Sequence, residues 1–179
     1  MALTLRRATS ADVPAIVTLV ERAYRGDASR AGWTTEADLL DGQRTDPAEV
    51  EDVIASSRSQ ILLALDGERV LGSAALTDEG DALYFGMFAV EPTAQGSGTG
   101  GQLLSAAEAI ARSRELPRVR LTVIAQRTEL IAWYLRRGYA ETGAIEPFPY
   151  GNARFGAPKR DDLYFVVLEK RVLEQELRS

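Results

Sequence analysis

At 179 residues, with 45% hydrophobic and 26% charged side chains, the chain fits one ordinary globular domain spanning residues 1–179. A net charge of −5 gives no attraction to nucleic acid, and no apolar run approaches the roughly 18 residues that cross a bilayer, so neither partner is expected. The absence of both cysteine and histidine excludes disulfides, thiolate metal sites, acyl-cysteine intermediates, Ser-His-Asp hydrolysis and histidine-dependent zinc chemistry, and no metal is expected.

The opening Met-Ala-Leu-Thr-Leu-Arg-Arg has no signal-peptide core, so a cytoplasmic location is expected. Among 21 basic residues only Lys159 and Lys170 are lysine, which reads as the codon usage of a GC-rich bacterial genome. Leu3 to Arg7 reads as a first strand. Thr9, with Asp12 three residues on, caps a helix whose apolar face is Val13, Ile16, Val20 and Ala23. Residues 25–45 show weak periodicity and read as a long loop with at most a short helix, of the length that often carries function. Asp46-Pro47 opens a second helix reaching about Ser57. Ile61 to Leu65 and Val70 to Leu76 flank Asp66-Gly67, a hairpin signal, and Ala82 to Val90 adds a third antiparallel strand. A helix over about residues 100–114 leads to a strand at Val119 to Ile124, parallel to its predecessor because a helical crossover joins them. Glu129 to Arg137 reads as a short helix closed by Gly138. Residues 143–162 read as a second long loop, and Leu163 to Leu168 as the last strand.

Between the third of those antiparallel strands and the following helix lies Gln95-Gly-Ser-Gly-Thr-Gly-Gly101. A strand, a glycine loop and a helix N-terminus together point backbone N–H groups and a positive dipole end at an anion. A nucleoside-triphosphate loop is excluded, because Gly101 is followed by Gln102 and Leu103 instead of Lys and Ser or Thr. Gly96-x-Gly98-x-x-Gly101 satisfies the dinucleotide fingerprint, but no carboxylate stands about 20 residues on. Arg127 in that region would suit a 2′-phosphate, which keeps an NADP-binding reading open. The element order, without repeated βαβ units, speaks against it.

The third reading takes Gln95-x-x-Gly98-x-Gly100 together with Tyr134-x-x-x-Gly138-Tyr139. On these motifs the chain resembles the GNAT superfamily of acetyl-CoA-dependent N-acetyltransferases, from about Leu3 to Lys170. The resemblance implies an α/β (α+β) fold with a mixed, mostly antiparallel central sheet flanked by helices and splayed between its fourth and fifth strands. It implies that Gln95, Gly96, Ser97, Gly98, Thr99, Gly100 and Gly101 hold the pyrophosphate of acetyl-CoA, with the backbone of Phe88, Ala89 and Val90 pairing with the pantetheine arm. It makes Tyr134 the general acid for the departing thiolate, and it implies direct attack by an amine.

Two departures from the family pattern stand out. Arg127 occupies a position where many members carry asparagine; it is placed with the cofactor phosphates, the other reading being the surface. The fourth strand holds no carboxylate and the fifth offers Thr122, so no base is named; a water chain ending on Glu79, Asp81 or a loop carboxylate would fill the gap. In the first long loop, Trp33 and Glu36, with Asp38 and Asp41 nearby, are candidates for holding an ammonium by cation–π and charge pairing. The plainer reading has Trp33 pin the loop and the acids face water. Phe148, Tyr150 and Phe155 in the second loop are candidates to cover the same cleft. The expected partners are a small-molecule or peptide amine acceptor and, as a homodimer, a second copy of the chain. The rival to catalysis is an acyl-CoA-binding or sensing module that has lost turnover.

Overall fold

Continuous apolar runs make strands buried on both faces, and they form the middle of the sheet in the computed structural model, which describes residues 2–33, 35–152 and 155–174. The elements that matter here are β1 (Thr4–Arg7), α1 (Val13–Tyr24), α2 (Gly26–Ser29), β2 (Leu40–Asp41), α3 (Pro47–Ala55), β3 (Ser59–Asp66), β4 (Arg69–Asp78) and β5 (Leu83–Val90). They continue with α4 (Thr99–Ser113), β6 (Arg118–Ile124), α5 (Thr128–Leu135), β7 (Ala140–Pro147), β8 (Ala157–Pro158) and β9 (Tyr164–Arg171). Seven strands form one sheet in the order β1-β3-β4-β5-β6-β9-β7. Among the described residues β5–β6 is its one parallel pair. No described helix is long and apolar enough to cross a membrane.

The alternation of strand side chains puts successive residues of β3 into different cores. Ile61, Leu63 and Leu65 pack with Val13, Ile16 and Val20 of α1 and Val50 of α3. Leu62 and Ala64 face the opposite layer, with Leu103, Leu104 and Ala107 of α4 and Leu130 and Tyr134 of α5. A third, smaller core of Leu40, Ile124, Phe148 and Leu163 lies under the two long loops.

The splay expected between the fourth and fifth strands falls between β5 and β6. These two pair only at Leu83↔Val119 and Tyr84↔Arg120 and then part. On its other side β5 carries a bulge opposite Ser73–Ala75, and Met87 within it has a positive φ of 45°. The extra residue bends the strand and re-aims Phe88, Ala89 and Val90 after it. From Phe85 onward the edge of β5 that faces β6 therefore has no strand against it.

Two elements differ from expectation. Residues 143–147 are not loop: the chain runs on as β7 to Pro147, an edge strand held to β9. Every residue of β7 is exposed, so it lacks the alternation by which a strand is recognised. The two long loops are also tied together, Leu40 pairing with Pro158 and Asp41 with Ala157.

Candidate active site

The glycine loop follows the unpaired end of β5, and α4 starts from it. Gly98 is the residue before the helix and has φ 91°, in the left-handed region where a side chain is strained. Gly96 has φ 87°, and a Cβ on either glycine would meet nothing within 4 Å. No acidic residue lies in the first turn of α4, so the N–H groups there face no built-in anion. Beside the loop is a cavity of about 550 Å³, lined by Phe88, Val90, Gln95, Gly96, Gly98, Gly100 and Gly101 on one side. Tyr24, Trp33, Glu129, Ala132, Trp133, Arg136 and Arg137 complete it. Arg137 lies over the Trp133 ring at 3.7 Å and donates to the Trp133 carbonyl at 3.1 Å, which holds its cation beside the glycines.

Of the residues expected to hold a cofactor, Ala89, Ser97 and Thr99 do not line this cavity. Ala89 packs into the α1 core, and the Ser97 and Thr99 hydroxyls bond one another at 3.0 Å. The Gln95 amide donates to the Val90 carbonyl at 3.1 Å and accepts from the Trp33 N–H at 2.8 Å, so it fastens the first long loop to the end of β5.

A second, inner cavity of about 160 Å³ lies in the wedge between β5 and β6 and shares Tyr24 and Phe88 with the outer one. Tyr134 lines it, half-way round a cluster of rings: 5.0 Å from Trp133, 5.7 Å from Tyr139 and 6.5 Å from Phe88. Burial pushes its phenol well above the ordinary value, so it stays protonated at any physiological pH. At the floor, Tyr84 and Thr122 hydrogen-bond across the parting strands at 2.8 Å.

The charged lining residues of the inner cavity are Arg25, Glu36, Arg44 and Arg127. Glu36, buried at 4% exposure, has one carboxylate oxygen on Arg25 Nη1 and the other 3.0 Å from Arg127 Nη1, with Arg44 Nε 3.8 Å away. Burial disfavours its charge, but Arg127, Arg44 and Arg25 outweigh that and hold the carboxyl below its usual range. The Arg44 and Arg127 guanidiniums both lie over the Tyr24 ring, at 5.5 and 5.2 Å.

Several expectations are relocated by this geometry. Arg127 is neither on the surface nor with the glycine loop; its ion pair with Glu36 draws it inward. Trp33 and Glu36 face different cavities, and the carboxylate expected to hold an ammonium is engaged by guanidiniums. Asp38 and Asp41 pair with Arg30 and Lys159 outside both cavities. Glu79 and Asp81 bind Arg120 at 2.9 and 3.2 Å and line neither cavity. Phe148 and Phe155 line the inner cavity, whereas the Tyr150 hydroxyl is occupied by Arg160 and Leu163. The sequence motifs leave out Arg136 and Arg137, although a basic pair just before Gly138 and close to Tyr134 is a visible signal. They also leave out Tyr24, Arg25, Arg44 and Tyr84, for which no local pattern exists.

The Acetyltransferase (GNAT) family model matches residues 18–139. No curated protein matches the chain by sequence. Among solved structures, the chain is similar to the ribosomal-protein-S18-alanine N-acetyltransferase from Escherichia coli, with TM-score 0.74 and 16% identity over 99% of each chain. It is similar to an N-acetyltransferase from Staphylococcus aureus Mu50, with TM-score 0.73 and 12% identity over 97% of this chain and 100% of that one. It is also similar to the PaiA N-acetyltransferase from Thermoplasma acidophilum in complex with coenzyme A, with TM-score 0.68 and 15% identity over 96% and 99%. At these identities the likeness is one of fold.

Proposed function

The chain belongs to the acetyltransferase (GNAT) family, and on that premise we propose that it transfers an acetyl group from acetyl-CoA directly to an amine. The observation that carries the reading is the pair of cavities meeting at Phe88 and Tyr24: an outer one with an anion cradle and an inner one with a buried proton donor. The fit to acetyl-CoA is supported on three counts. The space over Gly96 and Gly98 is open, Arg136 and Arg137 supply cations beside it, and the free edge of β5 can accept an extended amide-bearing arm as an added strand. Acetyl-CoA as co-substrate brings the acyl group already activated as a thioester.

The residues of the chain then divide the work. The amides of the glycine loop and the start of α4 bind phosphate. Phe88 and Tyr24 line both cavities and set aromatic rings where the two meet. Tyr134, kept neutral by burial, holds a proton for the departing sulfur. Glu36, the carboxylate that lines the inner cavity, is tied up by guanidiniums and is a weak base, so the amine enters the reaction already neutral.

At 100 times its Kd, acetyl-CoA should stabilise the fold by about 2.7 kcal/mol through linkage. NADPH should do much less, and a larger melting shift with NADPH would overturn the acyl-CoA reading. Thiol release with an amine panel, followed by mass detection of the acetylated product, separates an enzyme from a module that only binds acyl-CoA.

A further inference from the structure

The inner cavity is unbalanced in charge. Three guanidiniums line it against one carboxylate. Glu49 lies close enough to Arg44 to favour its charge. Arg25, Arg44 and Arg127 all converge on Glu36, the one carboxylate in that lining among the described residues. Guanidiniums gathered in a cavity with low-dielectric walls focus a positive potential there, which attracts an anion. A second observation points the same way. Arg25 is only 6% exposed, and its Nε–H has no hydrogen-bond partner. A buried donor left unmade is costly, so such a group marks either strain or the place of a missing acceptor.

We propose that the amine acceptor also carries a carboxylate, bound in the inner cavity by the cluster of Arg25, Arg44 and Arg127. The proposal rests on the acyl-transfer reading above and names the substrate class for it: a free amino acid or close analogue. A guanidinium fork matches a planar carboxylate with two parallel N–H···O bonds. The volume of about 160 Å³ is on the order of five waters, which suits a small head group and not a folded protein surface. Aromatic walls from Tyr24, Phe148, Phe155 and Phe165 suit an apolar body behind the charge. The same cations disfavour an ammonium beside them, which favours the neutral, nucleophilic amine. The anchor for the substrate thereby does part of the work of a base.

The test compares the common amino acids, each beside its carboxamide and its decarboxylated amine, in acetyl-CoA thiol release with mass detection of product. Loss of a charge-assisted pair typically changes affinity about 10–100-fold, so kcat/KM for the acid should exceed that for its amide by about that factor. Arg127→Gln should reduce that preference toward unity. Arg44→Gln, at a more exposed position, should reduce it in part, and serves where Arg127→Gln melts early. Amides or amines acetylated as well as the acids would overturn the proposal while leaving acetyl transfer standing, since product forms. If nothing in the panel is acetylated, calorimetric titration of the same compounds into the protein with coenzyme A decides. Preferential binding of the acids supports the anion site although transfer has failed; equal or absent binding overturns it.

Discussion

At the residue scale the two groups that matter most are both buried and are held in opposite states, one by burial itself and one by its charged neighbours. Tyr134 is kept neutral because burial among its ring neighbours outweighs the pull of Arg127 and Arg137 toward a phenolate. Tyr134→Phe keeps the ring and removes the proton. Turnover should fall by about 10²–10⁴-fold with acetyl-CoA affinity and melting temperature little changed. Measuring kcat and Kd on one preparation checks this, and near wild-type kcat with chemistry rate-limiting would reassign Tyr134 to packing. Glu36 is kept charged because its arginines outweigh burial. Glu36→Gln would leave three guanidiniums facing one another. Breaking one side of a buried ion pair costs about 3–5 kcal/mol, or about 6–20 °C in melting temperature for a domain of this size. The pH dependence is set by the direction of the shift. A carboxyl depressed on folding contributes stability above its unfolded value, about 4.3, and loses it as pH falls through the lower folded value. Acid melting curves of wild type and variant should therefore converge below about pH 4.

At the scale of elements, the clip between β2 and β8 joins the two long loops over the inner cavity. Gly156, next to β8, has φ 88°, and a Cβ there would lie 2.6 Å from the Asp41 carbonyl. Gly156→Ala combines a clash with left-handed strain of about 1–2 kcal/mol. Through the loops this should raise KM for the acceptor about 5–30-fold, with the Kd of acetyl-CoA unchanged. An unchanged KM in a folded variant would mean that the clip does not shape the acceptor site. The same clip shows why parts of the fold were hidden in the sequence. β3, β4, β5 and α4 were legible because each buries an apolar run or face of its own. β7 was not, because its stability comes from backbone pairing to β9 and its side chains, Ile145 included, face outward. β2 and β8 are two residues each and exist only through contact across more than a hundred residues of chain.

At the scale of the whole molecule the two cavities differ in how they are written. The outer one draws its glycine wall from contiguous residues, Phe88 to Gly101, so a local motif was enough to find it. The charged centre of the inner one combines Arg25, Glu36 and Arg44 from one long loop with Arg127 from the far side of the sheet. The charge pairing among them is decided by the fold and has no spacing to read.

That charged centre also sets how activity responds to pH. The chain has no histidine or cysteine, Glu36 ionises below the usual carboxylate range, and burial lifts Tyr24, Tyr84 and Tyr134 above theirs. Guanidiniums do not deprotonate in proteins. Between about pH 7 and 10 the inner cavity is a fixed charge pattern, a silent container whose guest alone titrates. The rise of kcat/KM with pH should then track the acceptor's own amine, inflecting near about 8 for a peptide α-amino terminus, near about 10 for a lysine-like amine, and above the peptide value for a free amino acid, whose own carboxylate favours the ammonium. Two acceptors of different basicity should give two displaced curves; one shared inflection would reveal an ionisation belonging to the protein. A pH series run on crude candidate pools thus becomes an identification method, each curve a fingerprint of the molecule being acetylated.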